Sequence, residues 1–198
     1  MHVYVIFAHP SHKSFTCDVL DAFIAGLRDG GHTFDLGDLY AMGFQTDMDL
    51  DQYKRETGSD PQAPVPKDVA AEQEKINNAD ALAFVYPVWW SDCPAKLKGW
   101  FDRVWTYGFA YVYEKEGAHA TSNLDIAKAL ALCPAGNTLK QLEDTGIAKG
   151  MHRVMIEDRL LGAGIKEAKM EILDGMTGGG PKQREKNLKK AYRLGKEF

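Results

Sequence analysis

No apolar run in this 198-residue chain comes near the roughly 20 residues that a helix needs to cross a bilayer. Met1 leads directly into a strand-like segment, without the basic and apolar regions of a secretory signal. No membrane insertion is therefore expected, and a cytoplasmic location is. Cysteine is scarce: Cys17, Cys93 and Cys133 are far apart and form no C-x-x-C pair, which excludes a disulfide framework and a zinc site. Three free, mostly buried thiols in a reducing compartment are expected, and no metal ligands. Neither sign of charge dominates, since 24 basic residues against 28 acidic ones leave a net charge of -4, which gives no general attraction for nucleic acid. Asp47, Asp49 and Asp51 alternate as in a calcium loop, but the glycine and glutamate required further on are missing, so a solvated loop is the reading. Repeats, low-complexity tracts and shifts of composition are absent too, and residues 1–198 read as one domain with a full core.

What the chain does have is short apolar runs with clear punctuation. Residues 2–8, 32–40, 81–86, 126–133 and 168–173 read as strands, most of them continuously apolar, as in a parallel sheet buried on both faces. Helical spacing lies between them. Val19, Leu20, Phe23, Ile24 and Leu27 form one stripe, closed by Gly30-Gly31 as a left-handed cap. Ala70, Gln73 and Ile76 form a second; Ala95, Leu97, Trp100, Phe101, Val104 and Trp105 a third; and Val154, Met155, Leu160 and Leu161 a fourth. A charged helix follows Pro181. Strands alternating with helices in this way predict an α/β fold, a doubly wound sheet with helices on both faces. Residues 41–66 are polar and proline-rich and read as a long loop: a lid, a dimer contact or a disordered segment.

In open α/β sheets ligands sit beyond the carboxyl ends of the strands. Three loops fall there. Residues 9–16 offer Ser14 and Thr16 hydroxyls and the Lys13 charge before a helix, where free amides and the helix dipole favour a phosphate. Read alone, a serine such as Ser14 before a helix is more often a plain N-cap, and a lone histidine such as His9 more often a structural one. Residues 87–91 place Trp89 and Trp90 after a strand and before a helix, to pack on a neighbouring loop or on a flat conjugated ligand. Residues 134–137 make a small-residue turn where a ligand can approach backbone amides. Phe109, Tyr111 and Tyr113 alternate along an extended segment, as a pocket wall or a subunit interface.

Three blocks, Ala8-His9 through Lys13-Ser14-Phe15, Tyr86-Pro87-Val88-Trp89-Trp90 through Asp102-Arg103-Val104, and Phe109-Ala110-Tyr111, carry a family likeness, with Asp38-Leu39-Tyr40-Ala41-Met42 as a fourth match. The chain resembles the flavodoxin-like NAD(P)H:quinone oxidoreductases over most of its first 135 residues, and beyond residue 137 mainly in layout. The resemblance implies a flavodoxin-like five-stranded parallel sheet and a bound flavin. FMN is favoured over FAD, because the 41–66 excursion is shorter than in the FAD-binding vertebrate enzymes. It also implies that His9, Lys13, Ser14, Phe15 and Thr16 surround the flavin phosphate and ribityl chain, and that Pro87, Val88, Trp89, Trp90 and Ser91 line the ring edge. Cys133, Pro134, Ala135, Gly136 and Asn137 would lie beside the pyrimidine ring, where the family usually carries Thr-Thr-Gly-Gly. Pro134 has no N–H to donate, so that contact must be remodelled. Tyr111 and Tyr113 match tyrosines that enter the substrate pocket from the other subunit of a homodimer, where they join Trp90. Gln141 and Ile147 lie near the positions of a tyrosine and a histidine that some members use, so no side chain is assigned as catalytic acid or base.

The activity implied by the resemblance is two-electron hydride transfer from NAD(P)H, through the flavin, to a quinone or similar aromatic acceptor in a ping-pong sequence. Two other readings stay open. One is a flavodoxin-like electron carrier, against which the modest charge speaks. The other is a regulatory flavoprotein subunit of an ion-efflux system.

Overall fold

The structure, a computed structural model, describes residues 1–58, 60, 62–113 and 120–198. Its strands, in chain order, are β1 (His2–Phe7), β2 (Thr33–Asp38), β3 (Ala81–Val85), β4 (Tyr111–Tyr113), β5 (Ala120–Ser122), β6 (Lys128–Pro134) and β7 (Glu167–Leu173). The helices are α1 (Phe15–Asp29), α2 (Leu50–Thr57), α3 (Lys67–Asn77), α4 (Ala95–Val104), α5 (Leu139–Asp144), α6 (Ile147–His152) and α7 (Gly180–Lys196); α6 runs on into a π-helix, Arg153–Leu161. No helix among the described residues is long and apolar enough to cross a membrane.

The five expected strands pair in parallel in the order β2-β1-β3-β6-β7. Val5 stands opposite Leu36 on one side and Ala83 on the other, and Ala83 opposite Leu130. Strand periodicity sends alternate residues to opposite faces. Val3, Val5, Phe7, Ala83, Val85, Leu130 and Leu132 meet α1 and α7; Tyr4, Ile6, Leu82, Phe84, Ala131 and Cys133 meet α3, α4 and the π-helix. Both faces are thus covered, which is why these strands read as unbroken apolar runs.

Helix α1 ends as expected. Gly31 is left-handed at φ 76°, with its N–H donating to Arg28 and the His32 N–H to Leu27, the paired bonds of a Schellman cap. Helices α1 and α7 touch backbone to backbone: a Cβ on Gly26 would lie 2.0 Å from the Tyr192 carbonyl oxygen, and one on Gly195 2.2 Å from that of Phe23.

The 41–66 excursion is not a plain loop. Asp49 caps α2 by accepting the Gln52 N–H at 2.7 Å, and the buried Gln52 side chain is bonded to Arg103 in both directions. Arg103 is itself buried, donates to the Gln45 carbonyl and grips Asp68 with both terminal nitrogens. Glu56 accepts the Tyr107 N–H while Arg55 donates to the Tyr107 carbonyl. Buried polar bonds therefore dock a segment whose composition reads as solvated. Pro61 of that excursion lies outside the described residues.

Smaller departures have simple causes. In α3 it is Val69 that points inward and Ala70 that is exposed; Ala95 is exposed at the first turn of α4. Val154 and Leu161 face solvent because the π-helix buries residues five apart, Met155 and Leu160, together with Ile156. Phe109 sits in a turn and packs on the core, while β4 and β5 pair antiparallel outside the main sheet.

Candidate functional site

Strand β1 lies between β2 and β3, so the chain leaves β1 and β3 toward opposite sides and opens a crevice beyond their carboxyl ends. The loops after β1, β3 and β6 meet there. In the first, Ser14 caps α1: its hydroxyl accepts the Cys17 N–H at 3.2 Å and donates to the Ser11 carbonyl at 2.8 Å. The Phe15 and Thr16 amides at the helix start have no intrahelical acceptor. Lys13 is exposed and Thr16 buried. His12 bonds Asp38 at the end of β2 with 2.6 Å between the atoms, and the His9 ring lies 5.8 Å from that of Trp89, tying the first loop to the second.

The second loop contains the unusual geometry. Trp90 and Ser91 both have positive φ, 49° and 66°. The Trp89 N–H donates to the Asp92 carbonyl at 3.0 Å and the Asp92 N–H returns to Trp89 at 3.1 Å. This is a two-residue turn of the mirror-image type, normally built from glycine and asparagine. Each non-glycine residue held there costs on the order of 1–3 kcal/mol and persists only when its surroundings fix it. The turn leaves Trp90 wholly exposed and Trp89 partly so. Its base is tied to the third loop, where the Pro134 carbonyl accepts the Val88 N–H at 2.8 Å. Pro134 thus contributes an acceptor where it lacks a donor.

Val88, Trp90 and Ser91 face Ala135, Gly136, Asn137 and Leu142 across a hollow of about 300 Å³. Gly136 and Asn137 also border a second hollow of about 580 Å³ toward α7, beside Asp174, Thr177 and Lys186. The Ala135 N–H is committed to Leu173; those of Gly136 and Asn137 have no partner among the described residues. Cys133 does not line the hollow, being fully buried behind it. Burial pushes its thiol up to about 12, and burial, then the Asp92 charge, pushes Cys93 to about 12 as well. Burial and then Cys133 raise Tyr86 well above its usual value. These groups are neutral packing, not nucleophiles. Tyr111 and Tyr113 do not line this hollow either; they cluster with Tyr107, ring centroids 5.7–5.9 Å apart.

Behind the turn stands a residue pair that the sequence did not reveal. Arg159, from the π-helix, donates to both oxygens of Asp92 at 3.0 Å. Burial tends to raise the Asp92 carboxyl, but bonds from Arg159 and the Cys93 N–H outweigh it and hold it below its usual range. The two residues are 67 positions apart, and no local pattern links them.

A family model described as a flavodoxin-like fold matches residues 1–195. The chain belongs to this flavodoxin-like family. An NAD(P)H:quinone oxidoreductase from Methanothermobacter marburgensis is 55% identical, with a TM-score of 0.94, over 99% of this chain and 98% of that one. The human ribosyldihydronicotinamide dehydrogenase (quinone) is 32% identical over 158 residues, 73% of this chain and 68% of that protein. The ribosyldihydronicotinamide dehydrogenase-like protein traD of Penicillium crustosum is 34% identical over 123 residues, and the chain spans only 46% of its length. The resemblance read from the sequence therefore holds, and it extends past residue 137, where only layout was visible.

Proposed function

We propose that this flavodoxin-like chain is a flavin-dependent NAD(P)H:quinone oxidoreductase that works as a homodimer with FMN. The observation that carries the reading is the strained Trp90–Ser91 turn facing the Ala135–Asn137 turn across one hollow at the β1/β3 crevice. Likeness to an NAD(P)H:quinone oxidoreductase over 99% of the chain supports it. The residues suit a flavin. The Phe15 and Thr16 amides and Lys13 would take its phosphate at the start of α1. Ser14, already committed as a cap, would fix that loop's shape. Pro87, Val88 and Trp89 carry the turn whose exposed Trp90 and Ser91 would flank the ring, and His9 braces Trp89.

When bound, the flavin supplies the hydride chemistry; the protein's part is binding, orientation and electrostatics. The Gly136 and Asn137 amides would offer fixed dipoles to negative charge on the ring, in place of water that must reorganise. The thiols are neutral and no carboxylate lines the hollow among the described residues, so no side chain of it is assigned as acid or base. Tyr111 and Tyr113 are absent from the hollow of their own chain, so the second copy would bring them to it. One hollow serving NAD(P)H and the quinone in turn requires ping-pong kinetics. The test is steady-state NAD(P)H oxidation with a soluble quinone and added FMN. Parallel double-reciprocal lines are expected, and no turnover with flavin bound would overturn the reading.

A further inference from the structure

A mirror-image turn without glycine needs an outside constraint. The reciprocal Trp89–Asp92 bonds close the turn but anchor it to nothing. Its entry is tied by the Val88–Pro134 bond, and its exit by the Asp92 carboxylate, which takes the Cys93 N–H at 2.7 Å and both arms of Arg159 at 3.0 Å. Two parallel bonds from a planar guanidinium fix direction as well as distance.

Arg159 is in turn held by Phe101 and Trp105. Its side chain is only 10% exposed. The guanidinium lies over the Phe101 ring, 5.6 Å from the centroid, and the Arg159 carbonyl accepts the Trp105 indole N–H at 2.8 Å. The helix that carries it is π over Arg153–Leu161, a geometry that is rare and concentrated near functional sites. Its wider turn buries Met155 and Leu160 while leaving Arg159 beside Asp92.

We propose that Arg159 is a positioning residue which, through Asp92, holds the Trp90–Ser91 turn in the strained form that walls the flavin hollow. This rests on the flavin reading above. It assigns a role to a residue that touches neither hollow, and to the π-helix that carries it.

The test uses the purified protein, with FMN as the probe, and the variants Arg159→Met, Arg159→Lys, Asp92→Asn and the Met/Asn double. Amide hydrogen exchange is read at Trp89 and Asp92, whose N–H groups close the turn, and at Leu132 and Trp100 as core controls. In Arg159→Met and Asp92→Asn the turn amides should exchange at least tenfold faster with the controls unchanged, and FMN should bind about tenfold more weakly. The double variant should add little to either single, and Arg159→Lys should fall between. Turn amides that exchange as in the parent, a uniform acceleration including the controls, or a freed turn with undiminished FMN affinity each overturn the proposal. A parent protein that binds no flavin defeats the flavin reading instead, and the exchange arm still decides whether Arg159 holds the turn.

Discussion

Glu72 is the least expected residue of the interior. It is fully buried, accepts the Tyr4 hydroxyl at 2.5 Å and the Trp100 indole N–H at 2.7 Å, and takes the partly exposed Lys75 at 2.6 Å. Burial, then the Glu72 charge, raises Tyr4 far above the usual phenol range, so it remains a donor. Trp100 packs 5.0 Å from Trp105, whose N–H supports the Arg159 carbonyl. Glu72 is therefore linked to Arg159 through Trp100 and Trp105. Glu72→Met leaves two buried donors without an acceptor and should cost about 3 kcal/mol or more. A lower urea midpoint at unchanged slope is the expected signature, with Glu72→Gln losing less because an amide oxygen still accepts. An unchanged midpoint in Glu72→Met would show that the donors find other partners.

Among the helices, α1 and α7 are pinned together by Gly26 and Gly195, each facing the other's backbone. Alanine raises intrinsic helix propensity by about 1 kcal/mol over glycine. Here it has no room: a Cβ on Gly195 meets the Phe23 carbonyl oxygen and Leu27 N–H, both main-chain atoms. Gly195→Ala should therefore lower the thermal midpoint, by an overpacking cost of roughly 1–3 kcal/mol. Calorimetry that finds a raised midpoint would contradict this packing. Because α1 also carries the Ser14 to Thr16 loop, the same variant should weaken FMN binding under the proposed function. The elements that could be read from sequence were those defined by apolar spacing, such as the stripe from Val19 to Leu27. Helix α2 escaped notice because its only buried residue is polar, Gln52, although Asp49 followed by Gln52 matches an N-cap signal. The π-helix has no pattern of its own, since a five-residue spacing looks like an imperfect four.

The molecule's response to pH follows from how its charges are held. The Arg103 side chain bonds hold Asp68 below the usual 3.8, and Arg159 with the Cys93 N–H does the same for Asp92 against the effect of burial. Stability from both pairs is present above the ordinary carboxylate range and is lost as pH falls through their lower folded values. At the other end, the Cys93 and Cys133 thiols sit at about 12 in the fold against an ordinary 9.0. Above pH 9 the unfolded chain releases these protons and the folded chain keeps them, so stability falls from there toward 12. Each thiol adds a slope of about 1.4 kcal/mol per pH unit in that window. Urea titrations at pH 8, 9.5 and 10.5 should therefore show a shallower alkaline decline for Cys133→Ala than for the parent. The layered sheet and the three site loops were legible in the sequence because burial on both faces leaves unbroken apolar strands, and because loops at their ends announce themselves by composition. Arg159, Arg103 and Glu72 were not, since each acts through a partner at least 28 residues away.

The glycine contact between α1 and α7 also joins stretches of chain that are far apart in sequence. Alone in water, a 15-residue helix such as α1 is marginal. The shape of the candidate phosphate loop at its start therefore depends on α7, although α7 itself begins well outside that loop.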